Sequence, residues 1–162
     1  MDYEVQLRQS PPQWLAAGVG RANRSNLPKQ VTTLGTPAWD YVKKNGIGND
    51  GHHVALYYEN GDGPCALPTP EGVVIAVGPR VHQPFENQPP VQCVELPAGT
   101  VAWTRHRGSY AKLGDAHCAV VRWCQERGHS FLGPYWEVYG HWTPNEAEQE
   151  TDVFYALRNV AE

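Results

Sequence analysis

The chain has 162 residues, enough for one domain with a real core, and its 41% hydrophobic and 19% charged residues fit a globular protein rather than a disordered one. A net charge of -4 with scattered basic residues excludes a polyanion groove, since the densest basic group is only Arg105, His106 and Arg107. No apolar run approaches the roughly 20 residues of a membrane span, and the first eight residues alternate instead of forming a leader. These features predict a cytoplasmic protein without nucleic-acid or membrane partners.

The first element is a strand over 3–7, where Tyr3, Val5 and Leu7 alternate with polar residues. A second extended segment follows over 14–19. The polar stretch 25–33 reads as an insert. Thr36 is placed to cap a helix with Pro37 in its first turn, and Gly46 is placed to end it. Strands over 53–58 and 72–77 follow, separated by the turn-forming run 60–70. The segment 80–90 is rich in Pro, Asn and Gln and reads as a linker.

Strands over 91–96 and 100–106 open the second half. A helix over 111–127 then places Leu113, Ala116, Val120, Trp123 and Cys124 on one face, and Gly128 ends it. Strands over 135–140 and 153–157 complete the chain.

The two halves repeat. An offset of 82 without a gap sets Val42 on Cys124, Gly46 on Gly128, Gly51 on Gly133 and Tyr57 on Tyr139. An offset of 89 sets Leu7 on Leu96 and Trp14 on Trp103, so the first half carries seven extra residues within 25–33. The fold class that follows is α+β: a single domain over 1–162, with duplicated β-α-β-β units over about 3–80 and 91–160. Neither unit has enough strands to close a core. Joined about a pseudo-twofold axis they form one antiparallel sheet with two helices on it and a groove at the seam, a favoured ligand site.

Cys65, Cys93, Cys118 and Cys124 form no C-x-x-C pair, and Cys118 and Cys124 read as small buried thiols in a helix. The seven histidines have no metal-binding spacing and are expected on the surface or in the core, so no metal and no cofactor is expected. Nucleophile elbows and phosphate loops are absent: the G-x-G at Gly46 follows a helix instead of preceding one.

Aromatic composition is the strongest chemical signal. Six Trp and eight Tyr against three Phe favour rings that carry a polar handle. Tyr135, Trp136, Tyr139 and Trp142 cluster, with Trp103 and Tyr110 upstream. Strand alternation puts Tyr135, Glu137 and Tyr139 on one face and Trp136 and Val138 on the other. A carboxylate flanked by two tyrosines near the seam needs a partner if buried, such as a ligand cation or a tyrosine hydroxyl. The alternative is an exposed face on which Glu137 pairs with an arginine of a neighbouring strand. Trp39, Tyr41 and Trp123, on helices, read as core.

The stretches H-R-G-S-Y-A-K-L-G-D-A (His106 to Ala116), W-E-V-Y (Trp136 to Tyr139) and T-D-V-F-Y-A-L (Thr151 to Leu157) resemble the gyrase-inhibitor-like (GyrI-like) family. Its members are the effector-binding halves of some AraC-type and MerR-type regulators. The resemblance is most specific at Gly108 to Tyr110 and at Glu137 and Tyr139. It implies a duplicated domain whose aromatic groove holds an acidic residue, here Glu137, and takes hydrophobic, planar, often cationic compounds. On that basis Glu137, Tyr135, Tyr139, Trp103, Tyr110, Trp142 and Tyr57 are candidate ligand-binding residues of a stand-alone binding protein. An enzyme is the first alternative, because a subfamily hydrolyses cyclopropane-containing natural products; Glu137 and Tyr139 would then be catalytic. A topoisomerase or a regulator as protein partner is the second, and haem binding is a third that no histidine stands out to support. Asp152 stands where the family usually has Glu. The chain begins at Met1 without room for a helix-turn-helix, so a DNA reader is not expected.

Overall fold

Strand pairing in the computed structural model, which describes residues 3–23, 25–58, 72–141 and 143–158, gives a single eight-stranded antiparallel sheet. Its strands are β1 (Gln6–Ser10), β2 (Gln13–Ala22), β3 (Asn49–Tyr57), β4 (Val73–Val81), β5 (Gln92–Leu96), β6 (Gly99–Arg107), β7 (Phe131–Tyr139) and β8 (Glu150–Leu157). They lie in the order β1-β6-β8-β7-β3-β4-β2-β5, so the two middle strands, β7 and β3, come from different halves. Among the described residues three α-helices accompany them, α1 (Leu27–Thr33), α2 (Gly35–Lys44) and α3 (Leu113–Glu126), with short 3-10 turns at Tyr110–Lys112 and Glu146–Glu148.

The repeat is visible in local detail. Strands β3 and β7 begin and end 82 positions apart. Both helices that precede them close through the same six-residue bond, Ile47 N–H to the Val42 carbonyl and His129 N–H to the Cys124 carbonyl. Gly46 and Gly128 follow at φ 62° and 74°, a left-handed geometry that glycine adopts without a Cβ penalty. The larger offset holds as well: Gln6 faces Trp103 across β1 and β6, and Glu95 faces Trp14 across β5 and β2. At the seam Ala55 lies directly opposite Glu137. The offset of 82 equates these same two residues, so the pseudo-twofold axis passes between them.

Helix α2 packs on β2 and β4, and α3 on β6 and β8. Between α3 and the sheet lie Ala102, Ala116, Val120, Cys124, Val153 and Tyr155, each with essentially no exposed surface. Burying each of the two valines is worth about 1.5–3 kcal/mol. Leu15, Leu56, Leu96, Val101 and Trp136 form a second buried cluster on the opposite face of the sheet. Trp136 and Val138 belong to that cluster and Tyr135 to the first, as strand alternation requires.

Several sequence expectations are corrected. Stretch 25–33 contains α1, whose side chains Leu27 and Val31 pack against the core without being fully buried. Thr36 is not a cap: its hydroxyl bonds the Thr32 carbonyl, and Leu34 alone separates α1 from α2. Pro37 has no N–H to offer the Thr33 carbonyl, so the two helices cannot run on as one. Arg80 and Val81 are strand residues, not linker. Cys118 is disulfide-bonded, whereas Cys124 is the buried free thiol expected. The first strand sits three residues later than predicted. The run 60–70, Cys65 and Trp142 lie outside the described residues.

Candidate functional site

A cleft of about 580 Å³ opens between α1 and the start of α3, over the seam strands β3 and β7. That volume is within the range of small-molecule sites. Leu27, Pro28 and Val31 of α1 form one wall, and Tyr110 and Leu113 the other. Trp39, His53, Tyr57 and Tyr139 line the interior, with Glu137 at the bottom. Among the described lining residues Glu137 is the only acid, and no lysine or arginine faces it.

Glu137 is 4% exposed. One carboxylate oxygen, Oε1, accepts from the hydroxyls of Tyr57 (2.8 Å) and Tyr139 (2.7 Å). The other, Oε2, lies 2.7 Å from Nε2 of His117, and Nδ1 of that ring lies 2.6 Å from the hydroxyl of Tyr155. Burial by itself raises the carboxyl's pKa, but the hydrogen bond and charge of His117 and the two tyrosine bonds outweigh it and hold Glu137 below the ordinary value. The carboxylate therefore stays ionised. Burial and the neighbouring Glu137 charge push Tyr57 and Tyr139 well up, so both remain donors.

Cross-strand packing fixes this geometry. Tyr57, Tyr135 and Tyr155 face one another across β3, β7 and β8 and stack at 4.6 and 4.8 Å between centroids. Such stacking is worth about 0.5–1.5 kcal/mol per pair beyond the area buried. The small Ala55 opposite Glu137 leaves space for the rings above it. Tyr139 meets Tyr110 edge-on at 5.6 Å and stacks on His53 at 5.9 Å. His53 in turn holds both helices of the first half. Its Nδ1 accepts from the indole N–H of Trp39 at 2.8 Å, and its Nε2 donates to the Val31 carbonyl at 2.9 Å. An indole only donates, so this ring is neutral, in agreement with the lowering of its pKa by burial.

Of the candidate residues, Glu137, Tyr139, Tyr57 and Tyr110 line the cleft. Tyr135 lies behind it, wedged between Tyr57 and Tyr155. Trp103 is on the opposite face, with the guanidinium of Arg8 3.5 Å from its ring centroid, because β6 turns Val101, Trp103 and Arg105 away from the helices. The alternative, an arginine partner for Glu137 on a neighbouring strand, is not found among the described residues: Arg105 pairs with Asp152 and Arg80 with Asp50. Trp39, read as core, lines the cleft, while Tyr41 and Trp123 pack half-buried against core residues. Sequence reading missed His117, His53 and the wall supplied by α1. A signal for His117 existed, since it falls on the apolar stripe of Leu113, Val120, Val121 and Cys124, where a polar side chain needs a partner.

No protein-family model matches the chain, and no curated protein matches it. Solved structures do. The C-terminal domain of EcmrR aligns with TM-score 0.79 at 18% identity, covering 99% of this chain and 100% of that one. EcmrR bound to DNA in a transcription complex aligns with TM-score 0.77 at 18% identity; this chain covers 58% of its length and is itself covered to 98%. A protein solved with bound tetraphenylphosphonium aligns with TM-score 0.52 at 12% identity, over 98% of this chain and 94% of that one. The shared property is the fold, and it is the one the GyrI-like resemblance implied.

Proposed function

We propose that the cleft binds a hydrophobic small molecule carrying a delocalised positive charge, and that the protein senses or sequesters such compounds. The observation that carries this reading is the ionised Glu137, the only acid among the described residues lining a largely aromatic and aliphatic cleft. In such surroundings a charge is screened poorly and acts over several ångströms. A cation over a tyrosine or tryptophan face gains about 0.5–2 kcal/mol more. The neighbour of similar fold solved with tetraphenylphosphonium supports the same ligand class.

The bonding of Glu137 refines the ligand further. An ionised carboxylate offers about four lone-pair sites, and two tyrosines and a histidine occupy three of them. A primary ammonium, with three N–H donors to satisfy, would leave some unpaired in the cleft. Phosphonium, quaternary ammonium or heteroaromatic cations have no such demand, and they match the site better.

The hydrolase alternative is less well supported. A carboxylate already accepting three hydrogen bonds, with its proton affinity lowered, is a weak general base. A direct test is the fluorescence of Trp39 in the cleft wall during titration with tetraphenylphosphonium and planar cationic dyes. Saturable quenching at micromolar concentration is expected. Folded protein that shows none with any of these ligands would refute the proposal.

A further inference from the structure

The cation-binding reading uses Glu137 but leaves unexplained the buried chain behind it, Tyr155 to His117 to Glu137. His117 is 4% exposed and Tyr155 fully buried. The hydroxyl of Tyr155 has His117 Nδ1 as its only hydrogen-bond partner among the described residues, so its proton points at that nitrogen. Nδ1 must then be an acceptor, and the ring proton sits on Nε2, donated to Glu137. In this state every group is satisfied, Glu137 is held ionised by its three hydrogen bonds without a charge on His117, and the cleft carries that full charge.

A proton added to His117 enters at Nδ1. It cancels the charge of the pair and leaves the Tyr155 hydroxyl proton without an acceptor. A ligand cation does the opposite, since it favours the neutral ring. We propose that His117 makes cation binding at this cleft an exchange, in which a cation enters as one proton leaves the His117–Glu137 pair for solvent. Cation affinity then falls as proton activity rises. This inference rests on the cation-binding reading and adds its regulation.

The groups around His117 leave it as the switch. From β7 it faces Glu137 and the edge of Tyr135, and from β8 Tyr155. Burial keeps both tyrosines protonated. Asp152 and Glu150 of β8 are held by Arg105 and Arg107. On β6, His106 is tied to Tyr3 and to the Ser109 carbonyl. On α3 itself Asp115 is exposed, and burial holds the Cys124 thiol neutral by raising it to about 11.

The test is the affinity for tetraphenylphosphonium across the pH range in which the protein stays folded. Calorimetry in two buffers of different ionisation heat counts the protons released, and the ring nitrogens of His117 are followed by NMR. Wild-type affinity should fall about tenfold per pH unit on the acid side, with one proton released per cation bound. His117→Gln can donate to Glu137 and accept from Tyr155 without gaining charge. Whatever its absolute affinity, it should show neither slope nor proton release. A flat wild-type profile, a slope retained by His117→Gln, or a His117 ring that takes up no proton in this range would overturn the exchange. The proton count and ring titration need only wild-type protein, so an unstable variant leaves the test intact. Binding with no pH dependence refutes the exchange alone, whereas no binding at any pH refutes the cation site itself.

Discussion

Tyr57 and Tyr139, equivalent positions of the two repeats, donate to the same oxygen of Glu137, at 2.8 and 2.7 Å. The repeat axis passes between Ala55 and Glu137, so the symmetry of the fold aims two hydroxyls at one carboxylate. Only one half supplies that carboxylate. Its equivalent, Ala55, supplies space.

Removing either hydroxyl should therefore have two effects. Tyr57→Phe and Tyr139→Phe each delete a bond to a buried charge and should destabilise the protein by about 1.5–3 kcal/mol in urea unfolding. Each also frees an acceptor site on Glu137. Affinity for a primary arylalkylammonium should rise relative to tetraphenylphosphonium, above all in Tyr139→Phe. Unchanged relative affinities would show that saturation of the carboxylate does not set ligand preference.

The two helix ends give a test of the repeat that is independent of the cleft. Gly46 and Gly128 both have positive φ, and a Cβ at either would meet nothing within 4 Å. Substitution by alanine should then cost only backbone strain, about 1 kcal/mol each and nearly equal. Unequal thermal shifts would mean that the two caps are not equivalent.

His53 predicts a pH dependence of stability. Its pKa is lowered from 6.5 on folding, chiefly by burial, so the unfolded chain takes up the proton first. The stabilisation is complete above pH 6.5 and is lost as pH falls from there to the folded value. The urea midpoint should drop between about pH 7.5 and 5.5, with a smaller drop in His53→Gln. Equal drops in the two proteins would reject a buried neutral His53.

Much of the fold was legible because its signals are stringent. Glycines at left-handed positions and aromatic residues at fixed strand positions tolerate little drift, so Gly46, Gly51 and Tyr57 identified their partners without a gap. Helix α1 was hidden because none of its residues is fully buried, and its polar composition carries no strong helical period. Trp103 was misplaced because sequence proximity to Tyr110 says nothing about which way a strand faces. That depends on register with β1 and β8, which pairing alone determines. The Glu137 face was readable from alternation, but its partner His117 lies 20 positions away on a helix. Only the packing of α3 on β8 brings them together.

In the proposed function Glu137 provides the charge that holds the ligand, and one substitution tests this directly. Glu137→Gln keeps the acceptor oxygen for Tyr57 and Tyr139 while removing the charge. The measurement is the dissociation constant of tetraphenylphosphonium and of a neutral aromatic ligand of similar size, for wild type and variant. A loss of about 1–3 kcal/mol, or roughly 5- to 150-fold, is expected for the cation and little change for the neutral ligand. Equal affinity of both proteins for the cation, with the variant folded, would contradict the proposal and leave Glu137 as a structural partner of His117.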